Sequence, residues 1–200
     1  MEDIKKLILV TSPPACGKTF VSKQLSKALK NIVYLDKDTL IPLSHQIFRV
    51  AHEEENRSSD FFEEWIRNPE YEVIEDLALE ALDYANIVLI NAPFTREIRD
   101  QKWMDEMMAK LEKKNAKLCI IWVDTDVEVC RQRMIARNSD RDTWKLAHWD
   151  EYVAGRDYSV PELFKDPNCN GELIVFHNSS DEEYQTSLKE VSAYLLGEQK

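Results

Sequence analysis

Residues 12–19 read Ser12-Pro13-Pro14-Ala15-Cys16-Gly17-Lys18-Thr19 and stand between an apolar strand pattern and a helical pattern. Upstream, Leu7–Val10 is continuously apolar, and downstream Val21, Leu25 and Leu29 recur at helical spacing. A strand that leads through a tight loop into a helix presents backbone amides and the helix dipole to phosphate oxygens. The stretch therefore predicts a phosphate-binding loop, or P-loop. The alternative, a chance Gly-Lys-Thr at a helix start, is disfavoured by the flanking strand and helix.

All eight residues of this stretch are predicted nucleotide contacts, and the last two have separate tasks. We expect Lys18 to contact the β- and γ-phosphates and the Thr19 hydroxyl to bind Mg²⁺. Ser12 stands where the motif has its first glycine, and the two prolines after it carry no amide hydrogen. The amide donors should therefore come from residues 15–19, which all keep their N–H groups.

Composition and charge exclude several classes of protein. With 200 residues and 44% hydrophobic side chains, the chain fits one globular domain that needs no disulfide or metal for stability. A net charge of −11 repels nucleic acid and anionic membrane, which makes a nucleic-acid partner unfavourable. No apolar run approaches the roughly 18 residues of a membrane span, and the N-terminus resembles no signal peptide. The four cysteines lack metal-binding spacing and indicate reduced thiols in a cytoplasmic protein.

Five short apolar runs alternate with amphipathic helical patterns along the chain. Each run is rich in Val, Ile and Leu with little polar alternation, as strands of a buried parallel sheet require. The runs are residues 6–11, 32–35, 87–90, 118–123 and 173–176. This alternation predicts an α/β fold, a three-layer α/β/α sandwich around a five-stranded parallel sheet. The long helical gap of about residues 40–85 predicts a cap over the carboxyl edge of the sheet, with a solvated connector as the alternative.

Two further segments point, together with the P-loop, to a known family. They are Asp36-Lys37-Asp38, directly after the second strand, and the arginine-rich stretch of residues 131–141. The three segments resemble P-loop kinases of the adenylate-kinase-like type, such as polynucleotide kinase, chloramphenicol phosphotransferase, zeta toxins and gluconate kinase. Within that type, the chain is most similar to bacterial "AAA family ATPase" proteins, which are predicted kinases of unknown substrate.

The resemblance implies a single kinase-like domain over residues 1–200, with sheet order 2-3-1-4-5 and a mobile lid at about residues 131–155. It also implies that ATP and Mg²⁺ are cofactors and that the γ-phosphoryl group of ATP passes to a hydroxyl of a small molecule. The sequence does not name that acceptor. The alternative is an ATPase or nucleotide-dependent switch that acts on a protein partner. A module that binds nucleotide without chemistry is disfavoured by the intact Lys18 and Thr19.

The two aspartates after the second strand receive separate roles from this resemblance. Asp38 matches the aspartate that accepts the proton of the substrate hydroxyl, and Asp36 could support Mg²⁺ through water. Phosphoryl transfer needs little more than positioning and charge stabilisation, so one oriented carboxylate suffices. Alternatively, either aspartate caps the helix that follows, because aspartate favours helix N-termini.

Arg133, Arg137 and Arg141 are spaced four residues apart and would share one face of a continuous helix. Like charges at this spacing repel each other, and a bound polyanion removes that repulsion. The resemblance implies a lid in which Arg137 and Arg141 act on the transferring phosphoryl group and Arg133 contacts the nucleotide. The alternative is a basic surface helix whose arginines pair with nearby acids, namely Asp126, Glu128, Asp140 and Asp142.

Two asparagines complete the predicted site. In the resembling kinases, the loop that matches residues 177–180 packs near adenine, so Asn178 is a predicted contact of the base. A helix N-cap by Ser179 or Ser180 is the alternative. Asn91 ends the third strand, where many P-loop proteins carry an aspartate that holds the Mg²⁺ shell. An uncharged amide is a poorer partner for those waters, which argues against fast ATP turnover.

Overall fold

A parallel sheet of five strands runs through the computed structural model, which describes residues 5–139, 142–164 and 170–197. The strands are β1 (Lys5–Thr11), β2 (Val33–Asp36), β3 (Ile87–Asn91), β4 (Ala116–Asp124) and β5 (Gly171–His177). Their order is β2-β3-β1-β4-β5, and every neighbouring pair is parallel. The predicted fold class and strand order are confirmed.

Helices connect the strands and cover both faces of the sheet. They are α1 (Lys18–Leu29), α2 (Ile41–Ala51), α3 (Arg67–Ala81), α4 (Gln101–Glu112), α5 (Val127–Arg137), α6 (Thr143–Ala147), α7 (Trp149–Ala154) and α8 (Asp181–Leu195). Short 3₁₀ turns cover Lys37–Leu40 and Glu97–Arg99, and a π-helical turn covers Phe62–Ile66.

Successive residues of the central strands point to opposite faces, which explains why these strands are apolar without alternation. Leu7 and Leu9 of β1 belong to the core beneath α3 and α4, whereas Ile8 and Val10 belong to the core beneath α1 and α8. All four side chains are fully buried. Because the strands are parallel, their carboxyl ends meet at one edge, and the P-loop follows β1 at that edge.

The helical segment between β2 and β3 divides into two parts. The first part has a small core of its own, formed by Phe48, Phe62 and Ile66. The second part, α3, packs Ile74 and Ala78 into the core of the sheet, as a crossover helix does. A cap over the carboxyl edge stays a prediction, now confined to the first part because α3 belongs to the core of the sheet.

The helices also bear on the expected relation to membranes. Across residues 5–139, 142–164 and 170–197, no helix combines the length and the apolar character that crossing a bilayer requires. The cytoplasmic location expected from the sequence stays a prediction.

Candidate functional site

The P-loop lies at the carboxyl edge of the sheet and ends where α1 begins at Lys18. Two of its residues have a left-handed backbone, Ala15 with a φ of 69° and Gly17 with a φ of 89°. A side chain at residue 17 has no room, because a Cβ atom there would lie 2.5 Å from Nδ2 of Asn178. Backbone conformation and space therefore both require glycine at this position.

The loop is fixed from behind through the carbonyl oxygen of Cys16. This oxygen accepts hydrogen bonds from Asn178 Nδ2 (2.7 Å), Thr125 Oγ1 (3.0 Å) and Arg133 Nη1 (3.3 Å). The Cys16 sulfur lies 3.5 Å from the Cys130 sulfur on α5, and both thiols are buried. The contact with Cys130 and burial raise the pKa of the Cys16 thiol. The P-loop is thus tied to α5 and to the segments that follow β4 and β5.

Asn178 and Arg133 both support the P-loop in this structure. The Asn178 side chain is buried, with its amide nitrogen on the Cys16 carbonyl, and Arg133 Nη2 donates to the Asn178 carbonyl oxygen at 2.7 Å. A contact between Asn178 and a nucleotide base stays a prediction. The alternative for this segment, a helix N-cap, is confirmed, because Ser180 Oγ accepts a hydrogen bond from Glu183 N at the start of α8.

Lys18 and Thr19 are held by Asn91 at the end of β3. Lys18 Nζ donates to Asn91 Oδ1 at 2.7 Å, and Asn91 Nδ2 donates to Thr19 Oγ1 at 3.3 Å. The Lys18 ammonium can only donate, which fixes the orientation of the amide, and Ser22 Oγ lies 3.3 Å from the same Oδ1. Burial lowers the pKa of Lys18, and nearby carboxylates partly oppose that shift. Asn91 therefore orients both P-loop side chains without placing negative charge beside them.

The two aspartates after β2 differ in their surroundings. Asp36 Oδ1 accepts a hydrogen bond from the backbone N of Asp38 (3.1 Å), and Asp36 Oδ2 accepts one from the Tyr34 hydroxyl (2.9 Å). The N-cap alternative is therefore confirmed for Asp36. Asp38 is exposed, and among the described residues no hydrogen bond reaches its carboxylate. Lys37, between the two, turns away and is buried with its Nζ 2.6 Å from Glu70 Oε2.

The continuous helix that would carry Arg133, Arg137 and Arg141 on one face does not form. α5 ends at Arg137, because Asn138 adopts the left-handed conformation with a φ of 45°. A continuous helix to residue 141 is therefore wrong, and Arg141 itself lies outside the described residues. Arg137 pairs with Asp142, whose Oδ2 is 2.7 Å from Nε and 2.5 Å from Nη2. This pair is one of those that the surface-helix alternative predicted.

Most of the predicted site residues line one cavity of about 630 Å³ above the P-loop, called here the phosphate cavity. Its walls come from the P-loop, the turn after β2, the loop after β3, and the α5–α6 region. The lining residues are Ser12, Pro13, Pro14, Ala15, Gly17, Lys18, Thr19, Phe20, Asp38, Pro93, Arg133, Arg137 and Lys145. The structure thus brings Lys18, Asp38 and Arg137 together, as predicted from three separate segments.

Three of these lining residues, Phe20, Pro93 and Lys145, are not among the predicted site residues. Phe20 lies on α1 directly after the P-loop, and 54% of it is exposed. Lys145 lies on α6, beyond the end of the predicted arginine face but within the segment of the expected lid. Only the folded chain shows that α6 returns to the P-loop.

A second cavity of about 520 Å³, called here the base cavity, adjoins the first, and Gly17, Phe20 and Arg133 line both. Two aromatic side chains line it, Phe20 of α1 and Tyr184 of α8, with ring centroids 5.2 Å apart. Polar side chains, among them Gln185, complete its wall. An exposed ring (Phe20) and a half-buried ring (Tyr184) beside a phosphate loop, with polar groups at their edges, suit a stacked heteroaromatic base.

A family model described as AAA domain matches residues 7–157 of the chain. The chain belongs to that family. The matched region of this AAA domain holds the P-loop, both aspartates, and α5 to α7, and it ends before β5 and α8. Comparison with curated proteins gave no match.

Solved structures of kinases and of one nucleotide-bound protein share the fold of this AAA domain. A protein from Chloroflexus aurantiacus J-10-fl, described as a candidate kinase, has a TM-score of 0.68 and 17% identity over 98% of this chain and 100% of that one. A sugar kinase from Janibacter sp. HTCC2649 has a TM-score of 0.57 and 12% identity over 96% and 94%. Kti12 from Chaetomium thermophilum, solved with ADP-AlF3, has a TM-score of 0.50 and 18% identity over 92% and 96%. The fold is that of a nucleotide-binding P-loop kinase of the adenylate-kinase-like type.

The space behind the P-loop can be tested with one added methyl group. Gly17→Ala should lower the free energy of unfolding by about 2–3 kcal/mol, since left-handed backbone costs alanine about 1–2 kcal/mol and the displaced Asn178 amide loses a hydrogen bond worth about 1 kcal/mol. Gly197→Ala is the matched control, because its φ is 74° and no described atom lies within 4 Å of the added Cβ. Urea denaturation compares the two, and equal losses would mean that the loop has room.

Proposed function

We propose that this AAA domain is an ATP-dependent kinase that transfers the γ-phosphoryl group of ATP to a hydroxyl of a small molecule. The observation that carries the proposal is the shared phosphate cavity of Lys18, Asp38 and Arg137. A phosphate loop alone would suit any nucleotide-binding protein. A free carboxylate in the same cavity adds a group that can orient and deprotonate a hydroxyl acceptor.

ATP would lie with its base against the Phe20 and Tyr184 rings and its phosphates along the P-loop. The two cavities meet at Gly17, Phe20 and Arg133, so a nucleotide that spans both would direct its terminal phosphate towards Asp38. The backbone amides of residues 15–19 would bind phosphate oxygens, and the N-terminus of α1 would favour their negative charge.

Lys18 is placed to contact the terminal phosphates without losing its present support. Its ammonium group has three N–H donors, and one of them is used by Asn91 Oδ1. The other donors remain for phosphate oxygens. Arg137 and Arg141 would stabilise charge on the transferring group, and Arg133 would hold the loop that binds the nucleotide.

The residues present also fit Mg²⁺, which would neutralise phosphate charge when bound. Thr19 Oγ1 can act as a direct ligand, and Asp36 can act through water because each of its oxygens has a lone pair left. Asn91 turns its NH₂ group towards Thr19, so it offers no acceptor to the waters of the ion. This arrangement favours slow turnover.

Nucleotide binding is tested first by Lys18→Met. ATP with Mg²⁺ should raise the melting temperature of the parent chain, because a ligand that binds only the native state stabilises it. Lys18→Met should remove most of that rise, since the phosphates lose their cation. Lys23→Met is the matched control, because Lys23 is an exposed lysine on the same helix. An equal rise in Lys18→Met and in the parent would contradict the P-loop assignment.

The acceptor is found by incubating the protein with γ-labelled ATP and a pool of cellular metabolites. Transfer of label to a small molecule, absent in Lys18→Met, would support the kinase.

The second candidate function is an ATPase or switch acting on a protein partner, and the uncharged Asn91 beside Thr19 is the observation that favours it. Release of label as inorganic phosphate without any acceptor, stimulated by a protein, would favour that candidate. A polynucleotide acceptor is disfavoured by the net charge of −11.

A further inference from the structure

Beside the phosphate cavity, one fully buried carboxylate serves two cations. Asp142 binds Arg137 through Oδ2, and its Oδ1 accepts a hydrogen bond from Lys145 Nζ at 3.0 Å. Burial raises the pKa of this carboxyl group, but hydrogen bonds from Lys145 and Arg137 outweigh burial and hold the pKa below its usual range. A charged Asp142 therefore joins the end of α5 to α6.

The charges of this group do not cancel, because one carboxylate faces two cations. Arg137 directs Nε and Nη2 to Asp142, which leaves other N–H groups of the guanidinium unused by that contact. Lys145 uses one of its three donors on Asp142. Both cations line the phosphate cavity, with 34% of the Arg137 side chain and 24% of the Lys145 side chain exposed. The group thus presents net positive charge to an anion in the cavity.

The position of the two cations indicates which part of a nucleotide they face. Gly17, Phe20 and Arg133 line both the base cavity and the phosphate cavity. Arg137 and Lys145 line the phosphate cavity, as Asp38 does, and they do not line the base cavity. They therefore lie at the end away from the base, where the terminal phosphate and the acceptor would meet.

We propose that Lys145 binds the terminal phosphate of the nucleotide beside Arg137, and that Asp142 is the residue that positions both cations. The proposal rests on the nucleotide site proposed above and adds to it a lysine that is not among the predicted site residues. Without Asp142, two neighbouring cations would repel each other and turn towards solvent. With Asp142, both are in place before the phosphate arrives, so less ordering opposes binding.

Titration with two nucleotides tests Lys145, because ADP lacks the phosphate in question. Calorimetry of the full chain gives two affinities, one for a nonhydrolysable ATP analogue and one for ADP. The quantity compared between variants is the affinity for the ATP analogue divided by the affinity for ADP. Lys145→Gln should weaken binding of the ATP analogue roughly 10- to 100-fold, the effect of one lost charge-assisted hydrogen bond, and ADP binding less than about threefold. Lys145→Arg should restore most of the loss. Lys189→Gln, an exposed lysine on α8, controls for the change in net charge.

Asp142→Asn tests positioning, because it keeps both cations and removes the carboxylate that holds them. Asp142→Asn should lower the ratio of ATP-analogue affinity to ADP affinity roughly three- to tenfold, which is less than Lys145→Gln does. The reason is that Arg137 and Lys145 keep their charge and lose only their fixed positions. Asp142→Glu should recover part of that ratio. A purely structural Asp142 would change the two affinities equally.

The outcomes separate this proposal from the proposed kinase. If the parent binds neither nucleotide, the proposed function fails. If the parent binds both and Lys145→Gln leaves the ratio unchanged, the role of Lys145 is overturned while the kinase stands. A ratio that falls in Lys145→Gln and not in Asp142→Asn overturns the positioning role. Should Asp142→Asn fail to fold in urea denaturation, Asp142→Glu and the pair Lys145→Gln and Lys145→Arg carry the test.

Discussion

Asp38→Asn should lower phosphoryl transfer roughly 10²–10⁴-fold, the usual effect of a lost general base, and leave ATP binding nearly unchanged. Asparagine has the same shape as aspartate and cannot take up a proton. Asp38 is exposed in the phosphate cavity, so the exchange disturbs no buried contact. The measurement is single-turnover transfer of label from γ-labelled ATP to the acceptor, with calorimetry for ATP affinity.

Asp36→Asn is the matched control, because it removes the same charge two residues away. The Asp36 carboxylate already accepts hydrogen bonds from Tyr34 and from the backbone of Asp38, so it is not free to act on a hydroxyl. This variant should raise the Mg²⁺ concentration needed for half-maximal rate and have a smaller effect at saturating Mg²⁺. A parental transfer rate in Asp38→Asn would exclude Asp38 as the base and move the search to other carboxylates.

The fold could be predicted from the sequence because its strongest signals are local. A strand buried on both faces must be apolar throughout, and the runs at residues 6–11 and 118–123 have this property. Periodicity does not give the order of the strands. The order came from the resemblance carried by the P-loop, by Asp36-Lys37-Asp38 and by the arginine-rich stretch, and it is confirmed.

Site residues that belong to a sequence motif could be predicted. Residues that reach the site only through a turn of the chain could not. Lys18 and Asp38 follow strands whose carboxyl ends meet, so their proximity follows from the topology. The turn at Asn138 could not be predicted from charge spacing, because one residue in the left-handed conformation redirects the chain. Lys145 reaches the phosphate cavity only after that turn. The support of Cys16 by Thr125 spans more than a hundred residues and leaves no local pattern.

Glu70→Gln should lower the free energy of unfolding by about 3–5 kcal/mol, because it leaves two cations without their anion in a buried site. Glu70 of α3 is 5% exposed, and its Oε2 accepts hydrogen bonds from Lys37 Nζ (2.6 Å) and Arg57 Nη2 (2.7 Å). Its Oε1 accepts from Arg57 Nη1 at 2.6 Å and from the Ser44 hydroxyl. Glutamine keeps the volume, but it carries no charge and turns an NH₂ group towards these donors.

The same carboxylate should make the effect depend on pH. Burial raises the pKa of Glu70, but hydrogen bonds from Arg57, Lys37 and Ser44 outweigh burial and lower the pKa from 4.5 to about 2. A carboxyl group with a lowered folded pKa stabilises the protein above its unfolded pKa, and that stability is lost as pH falls through the folded pKa. The shift corresponds to about 3 kcal/mol. The difference between the parent and Glu70→Gln should therefore be constant above about pH 5 and shrink towards pH 2.

Urea denaturation from pH 7 to pH 2 measures this difference, with Glu72→Gln, an exposed glutamate on the same helix, as control. A difference in the free energy of unfolding between the parent and Glu70→Gln that stays constant from pH 7 to pH 2 would contradict the role of Glu70.

Glu70→Gln should also lower phosphoryl transfer under conditions where it remains folded. Lys37 lies between Asp36 and Asp38 in the chain, and Glu70 holds its ammonium group away from the phosphate cavity. A released Lys37 can pair with the Asp38 carboxylate and compete with the acceptor for the base, so stability and catalysis should fall together.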